Sequence, residues 1–296
     1  MKQLLLDGLT NMGLSPSGEQ LRQLEEYARL LLEQNQVMNL TAITEPEQVA
    51  RLHFLDCAAI LKWTGGASGT ARPTALDVEQ RTAGESTIAR SENEAGGQAA
   101  QGIFSQPETL GTEGSSPLRG TAASTWLFDR SVIDVGTGAG FPGVVLKILE
   151  PSLKLTLADS LGKRVSWLKT ICEVLSLDGV QCLHVRAEEL ALQEGFRDSF
   201  DLAVSRAVAS YPLLCELCLP YVKPGGVFLA MKSVESEEEV AAGASAVKRL
   251  GGKALGHLDY PIPGTEITHR LVGVKKTSPS PKGLPRSWGK IKKAPL

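Results

Sequence analysis

The densest chemistry in this chain lies in Asp134-Val135-Gly136-Thr137-Gly138-Ala139-Gly140-Phe141-Pro142-Gly143. The apolar run 131–135 before it reads as a strand, and 144–149 after it as a helix. A strand that ends in a Gly-rich turn and opens a helix brings backbone N–H groups close to a ligand at the helix N-terminus. Phe141 stands where the dinucleotide fingerprint would place its third glycine, which disfavours a nicotinamide or flavin cofactor. Asp134, two residues before Gly136, is unhelpful beside a pyrophosphate and useful beside a cationic methionine moiety. A second strand, 154–159, ends in Asp159, 21 residues after Gly138. A carboxylate there can hold two ribose hydroxyls. Together these residues describe a site for S-adenosylmethionine, and no metal is expected.

Two further positions extend that cleft. Ala187-Glu188 follows the third strand, where adenine-contacting groups lie; Glu188 reads equally as the acidic first turn of a solvated helix. Arg206 follows the fourth strand, at the carboxyl ends where ligands bind; its alternative is a surface arginine. The segment Ser205-Arg206-Ala207-Val208 also bears on the methylated atom. It lacks the Asn/Asp-Pro-Pro-aromatic loop suited to exocyclic amines. Methylation at a pyrimidine carbon needs a cysteine nucleophile, and neither Cys172 nor Cys182 sits in a suitable loop. A ring nitrogen with a free lone pair, such as guanine N7, needs neither device, and small-molecule acceptors remain open.

Other residues carry competing readings. Cys215-x-x-Cys218 has no second ligand pair and lies in an apolar helical stretch, which favours packing over zinc or redox chemistry. His53 and Asp56 are three apart on a helix and can touch, as a structural pair or a functional one. Lys163-Arg164 is either surface charge or a substrate contact. His184 and His257 carry no signal.

Elements on both sides must position this constellation. Leu21, Leu24, Tyr27, Ala28, Leu31 and Leu32 recur at helical spacing, with a start at Ser15-Pro16 or Ser17. That helix should stop near Asn35-Gln36. Thr44 and Glu47 fit a capping box for a further helix. Val49, Leu52, His53, Asp56 and Ile60 share one of its faces. Helices near 2–12, 17–34 and 45–63 thus form an N-terminal lobe. From 131 onward, strands alternate with helices: 180–185, 200–204 and 226–231 are further strands, and helices lie near 165–175, 211–221 and 235–250. This pattern implies right-handed crossovers and a mostly parallel sheet. Segments 255–260 and 269–275 form a final antiparallel pair.

The 296 residues carry 31 Lys/Arg against 33 Asp/Glu, a net charge of −2, which excludes a globally basic nucleic-acid binder but not local patches. From 66 to 126 the chain is rich in Gly, Ser, Thr, Ala and Glu, with four Arg and seven acids. Its few large apolar residues cannot offset the entropy of ordering it, so disorder is expected. By contrast, 275–296 holds seven Lys/Arg, no acids and four prolines, a basic tail suited to RNA phosphates or to solubility. No apolar run of about 18 residues occurs, so no membrane span is expected. Met1-Lys2-Gln3-Leu4-Leu5-Leu6-Asp7 makes no signal peptide. Five scattered cysteines suit a reducing cytoplasm.

In combination these residues resemble the GidB/RsmG family of small-subunit ribosomal RNA guanine-N7 methyltransferases. Asn39-Leu40-Thr41-Ala42-Ile43 resembles its post-helix motif. His53-Phe54-Leu55-Asp56-Cys57 resembles its His-x-x-Asp-Ser motif, with Cys57 in place of serine. The run from Asp134 to Gly143 matches the family's Gly-rich turn. Asp159-Ser160-Leu161-Gly162-Lys163-Arg164, Arg186-Ala187-Glu188-Glu189, Ser205-Arg206-Ala207 and Lys223-Pro224-Gly225-Gly226 match in order. The ending, Pro285-Arg286 with Lys292-Lys293-Ala294-Pro295-Leu296, is similar too. The departure is the window 66–126, where the family has a short connector.

The resemblance implies an α/β fold: a class I, Rossmann-like S-adenosylmethionine-dependent methyltransferase sheet with an N-terminal helical lobe. It implies methyl transfer to N7 of guanine 527 in 16S ribosomal RNA, free or in a small ribosomal subunit particle. The candidate cofactor residues are Asp134, Gly136, Gly138, Gly140, Phe141, Asp159, Ser160, Ala187, Glu188 and Arg206; Arg206 and His53 are candidates for placing the acceptor. The organisation expected is a lobe over 1–65, a low-complexity insertion over 66–130, a methyltransferase domain over 131–276 and a basic tail over 277–296. N7 faces the deep A-form major groove, which side chains cannot read, so the substrate should be a loop or an assembling particle. The alternatives are a non-catalytic S-adenosylmethionine- and RNA-binding assembly factor, and a small-molecule methyltransferase.

Overall fold

The computed structural model describes residues 1–65, 125–206 and 209–296. Residues 66–124, on which the expected disorder falls, lie outside the described residues, as do Ala207 and Val208. Among the described residues, seven strands form one sheet. They are β1 Ser131–Val135, β2 Lys154–Asp159, β3 Val180–His184, β4 Phe200–Arg206, β5 Val222–Ser233, β6 Gly252–Pro261 and β7 Thr268–Lys276, in the order β3-β2-β1-β4-β5-β7-β6. The first five pair in parallel, and β7 lies antiparallel between β5 and β6. This is the mostly parallel sheet expected from the alternation of strands and helices, in the Rossmann-like form that the resemblance implies. The chain winds outward from β1 to β3 and returns to β4 on the other side of β1. That reversal creates the crevice at the strands' carboxyl ends where ligands of such sheets bind.

Period-2 alternation divides the sheet's side chains between two cores. Val132, Leu155, Leu157, Leu202, Val204, Leu229 and Met231 face one layer. Ile133, Val135, Ala158, Ala203, Phe228 and Ala230 face the other. Both faces are covered, so the central strands carry apolar residues on both sides rather than on one.

The N-terminal lobe covers the first face. It comprises α1 Lys2–Asn11, α2 Gly18–Met38, α3 Pro46–Val49, a π-helical turn Ala50–Leu55, α4 Asp56–Ala58 and a 3-10 turn Ala59–Lys62. Ser17 and Gln20 form a full capping box at the start of α2. The Gln20 amide also donates to the carbonyls of Ile148 and Leu149, at 2.9 and 3.0 Å, at the end of α5 Gly143–Leu149. Gln23 donates to Leu175 O, at 2.8 Å, just past α6 Gly162–Val174. The lobe thereby satisfies carbonyls left open at the ends of two sheet helices.

Four expectations need correction. Helix α2 runs three residues past Asn35, to Met38, and ends at Asn39 in a left-handed conformation. The capping box at Thr44 and Glu47 does not form: Glu45 is the N-cap and Pro46 takes the first helical position. The third helix is not uniform, because residues 50–55 widen into a π turn. The insertion is shorter than 66–130 at its far end. Trp126 Nε1 donates to Ile60 O at 3.2 Å and Leu127 is fully buried, so 125–130 lie on the domain.

The other face is covered by α7 Ala187–Leu190, α8 Tyr211–Cys218, α9 Glu237–Ala242, α10 Ala244–Arg249 and the C-terminal segment. Cys215 and Cys218 are buried in α8, and burial pushes the Cys215 thiol up to about 12. The segment 277–296 is not a free tail. Arg286 Nη2 lies 2.6 Å from the fully buried carboxylate of Glu216 in α8. The Arg197 guanidinium donates to the carbonyls of Ser280, Pro281 and Leu284. Helix α11, Trp288–Lys293, buries Ile291. An unpaired buried charge is costly, so Glu216 requires Arg286 and fixes where the segment sits.

Candidate active site

The Gly-rich turn leaves β1 and enters α5 at the crevice between β1 and β4. Asp134 is fully buried at the end of β1. Its Oδ2 accepts hydrogen bonds from Thr137 Oγ1 at 2.7 Å and Gly143 N at 2.8 Å. The carboxylate thus pins both ends of the turn from inside. Burial pushes its pKa up to about 6. Its Oδ1 is buried without a partner. Asp134 has no exposed surface and braces the turn from within, so its charge, and its unpartnered Oδ1, lie just beneath the crevice.

Asp159, at the carboxyl end of β2, holds the turn from the other side. Its two oxygens accept from Gly138 N at 2.9 Å and Leu161 N at 2.8 Å, and Arg164 lies 3.7 Å away. A carboxylate has about four lone-pair sites, so two remain for a ligand's hydroxyls. Gly138 has φ +60°, and a Cβ there would meet only the carbonyl of Gly136, at 3.9 Å. That open space over a left-handed glycine is a cradle in which a ligand can approach the backbone. Together with the orphaned buried acceptor of Asp134, it fits a cofactor that is cationic at one end and carries a ribose. Ser160 is exposed beside Asp159. Glu188 is 6% exposed and takes Arg186 Nε at 2.6 Å, so it is no solvated helix start.

Gly140 and Phe141 make contacts with the lobe that residue order did not show. A Cβ on Gly140 would lie 2.6 Å from Tyr27 Oη, and that hydroxyl donates to Ala139 O at 2.7 Å. The turn's second half is therefore seated on α2. Phe141 is 4% exposed; its ring stacks on His53 at 4.4 Å between centroids and lies under Arg206 at 4.8 Å.

Arg206, the last residue of β4, is no surface arginine. Its fork reaches three groups of the lobe: Leu52 O and Asp56 Oδ2, both at 3.2 Å, and His53 Nδ1 at 3.0 Å. His53 and Asp56 thus meet through Arg206. The π turn places Leu52, His53 and Asp56 around one guanidinium; such turns recur at functional sites. Burial, reinforced by the charge of Arg206, pushes the His53 pKa down to about 3. Burial also pushes Asp56 up, but the hydrogen bond from His269 and the charge of Arg206 outweigh it and hold the carboxyl below its ordinary range.

Sequence reasoning missed five members of this arrangement. Tyr27 was legible only as part of an apolar stripe. Asn35 pairs with the backbone of Thr41 through two hydrogen bonds, at 2.9 and 2.8 Å, and Thr41 Oγ1 lies 2.8 Å from His53 Nε2. Tyr260 Oη and His269 Nδ1 both reach Asp56 Oδ1, at 2.7 and 2.8 Å. Their one sequence signal is their place at the turn-proximal ends of the final antiparallel pair.

Known proteins similar in sequence to this chain fall in one family. The family model "GidB: rRNA small subunit methyltransferase G" matches residues 20–78 and 121–257. The chain is 36% identical over 295 residues to the ribosomal RNA small subunit methyltransferase G of Alkaliphilus metalliredigens, covering 100% of this chain and 98% of that one. It is 35% identical over 293 residues to the protein of the same name from Clostridium botulinum, covering 99% and 98%. A solved rRNA methylase structure from Streptococcus thermophilus is similar at a TM-score of 0.38 and 17% identity, covering 51% of this chain and 90% of that one.

Proposed function

Because this chain belongs to the rRNA small subunit methyltransferase G family, we propose that it methylates N7 of a guanine in 16S ribosomal RNA, at position 527, with S-adenosylmethionine as donor. It is an rRNA methyltransferase; the donor, the atom and the nucleotide go beyond the family's name. The observation that carries the donor is the turn 136–143, braced by Asp134 and Asp159 with open space over Gly138. In this reading Asp159 holds the ribose, Ala187-Glu188 border the adenine, and the buried charge of Asp134 favours a cationic methionine end. The bound cofactor supplies a methyl group on a sulfonium, an electrophile that needs no further activation.

The chain's own groups argue for a ring-nitrogen acceptor. N7 of guanine carries a free lone pair at neutral pH, so no proton has to be removed. His53, with a pKa near 3 and both ring nitrogens engaged, is no general base. Cys57, four residues on, is fully buried, and burial holds its thiol well above the ordinary range, so it is no nucleophile. Among the described residues of this wall, what is left is placement and exclusion of water. Arg206, His53 and the Phe141 ring form a dry, rigid wall suited to both. We place the activity in the cytoplasm, where its RNA substrate is made.

The test uses 16S RNA and small-subunit particles from a strain lacking the gene. Each is incubated with protein and methyl-labelled cofactor, and the label is located by cleavage selective for N7-methylguanine. One labelled guanine at position 527 is expected. Label on another base or another atom would refute the assignment.

A further inference from the structure

Tyr260 and His269 are directly opposed in the register of β6 and β7, with their rings edge to face at 6.3 Å. Because opposed residues of an antiparallel pair project from the same face, both side chains reach one target. That target is Asp56 Oδ1, which accepts from Tyr260 Oη at 2.7 Å and from His269 Nδ1 at 2.8 Å. Asp56 is 2% exposed, so its orientation is set by these donors and not by water. With Oδ1 engaged twice, Oδ2 is left for Nη1 of Arg206, at 3.2 Å. Tyr260 and His269 lie more than 200 residues from Asp56 in sequence, on an edge hairpin that contributes nothing to the Gly-rich turn.

We propose that His269, with Tyr260, is a positioning residue: through Asp56 it sets the guanidinium of Arg206 against Phe141 in the cofactor turn. This rests on the reading of Arg206 as part of the cofactor site. Without the two donors, Asp56 can rotate its free oxygen toward Arg206 in more than one way, and the fork no longer has a single seat. His269 is the better probe, being partly exposed at 33% of its side chain, whereas Tyr260 is buried. Asparagine at 269 can present an N–H where Nδ1 now stands; alanine cannot.

The experiment is calorimetric titration of S-adenosylhomocysteine into the full chain and into His269→Ala, His269→Asn, Arg206→Ala and the double variant His269→Ala/Arg206→Ala, each checked for cooperative unfolding. His269→Ala should weaken binding about tenfold, the loss typical for a hydrogen bond to a charged group. His269→Asn should recover most of it. In the Arg206→Ala background, His269→Ala should have little further effect, because the two act as one unit. Equal effects of His269→Ala in both backgrounds, or no recovery by His269→Asn, would overturn the positioning role while the cofactor reading stands. A folded Arg206→Ala that binds like the parent chain would instead remove Arg206 from the cofactor site, and the positioning role with it.

Discussion

Nη2 of Arg206 lies 3.0 Å from Nδ1 of His53, and this contact fixes the histidine's tautomer. A guanidinium only donates, so Nδ1 is the acceptor and the proton sits on Nε2. That N–H donates to Thr41 Oγ1 at 2.8 Å, which in turn accepts from Ile43 N at 3.0 Å. The last residue of β4 is thereby tied to the loop that follows α2, across the face of Phe141.

Arg206→Lys should break this tie. A lysine ammonium is a point charge without the planar fork that reaches Leu52, His53 and Asp56 together. We expect kcat/KM for methyl transfer to fall by at least about tenfold, roughly 1.4 kcal/mol of lost stabilisation. Steady-state incorporation of labelled methyl into RNA measures it. An unchanged kcat/KM would mean that charge alone suffices.

Asp159→Ala removes one carboxylate from three tasks: the Gly138 N–H, the Leu161 N–H and the proposed ribose hydroxyls. Affinity for S-adenosylhomocysteine should drop by about 1–3 kcal/mol, the range for charge-assisted hydrogen bonds. Calorimetry on the folded variant decides, and undiminished affinity would end the ribose assignment.

Tyr27→Phe and Gly140→Ala probe the seat of the turn on α2. The first loses the bond to Ala139 O and should cost about 1 kcal/mol of unfolding free energy. The second forces a side chain onto φ +106°, 2.6 Å from Tyr27 Oη and 2.7 Å from Val144, and should cost more, about 1–3 kcal/mol. In the Tyr27→Phe background the Gly140→Ala penalty should shrink but not vanish, since the backbone strain stays. Urea titration of the four proteins gives both numbers.

Two buried groups give opposite pH dependences. Asp134 has its folded pKa raised to about 6, so its contribution is full below its ordinary value and is lost as pH rises through 6. His53 has its folded pKa lowered to about 3, so its neutral form favours the fold above its ordinary value near 6.5, and that contribution is lost as pH falls from there toward 3. The stability of Asp134→Asn relative to the parent chain should therefore improve as pH rises from about 5 to 7. That of His53→Gln should improve as pH falls from about 7 to 4. Chemical unfolding across this range tests both signs, and parallel curves for parent and variant would contradict the shift concerned.

The basic segment calls for a charge test rather than truncation. Deleting 282–296 would strip Arg286 from buried Glu216 and Ile291 from the core, and so would destabilise the fold. Lys282, Lys290, Lys292 and Lys293 are exposed. Replacing these four by Ser should leave stability unchanged and reduce the salt slope of RNA binding, by up to about 0.7–0.9 for each lysine that neutralises a phosphate. Equal slopes would take this segment out of the RNA interface.

The strand–turn–helix at 131–149 and the carboxylate at 159 were legible from residue order alone. Each depends on local rules: a run of β-branched residues, glycines where φ must be positive, and one βα unit of fixed length. The parallel part of the sheet followed from the alternation of such units, and its antiparallel edge from the two final apolar segments. The acceptor wall did not. Arg206 meets its partners across 150 to 154 positions, and Asp56 meets Tyr260 and His269 across 204 and 213. Those meetings arise only when the lobe docks on the sheet and β7 takes its register between β5 and β6, and no local periodicity encodes either event. The same holds for the C-terminal basic segment, whose composition suggested a tail but not where it packs. Its place follows from Glu216, a carboxylate buried in an apolar helix and paired with Arg286, 70 residues away.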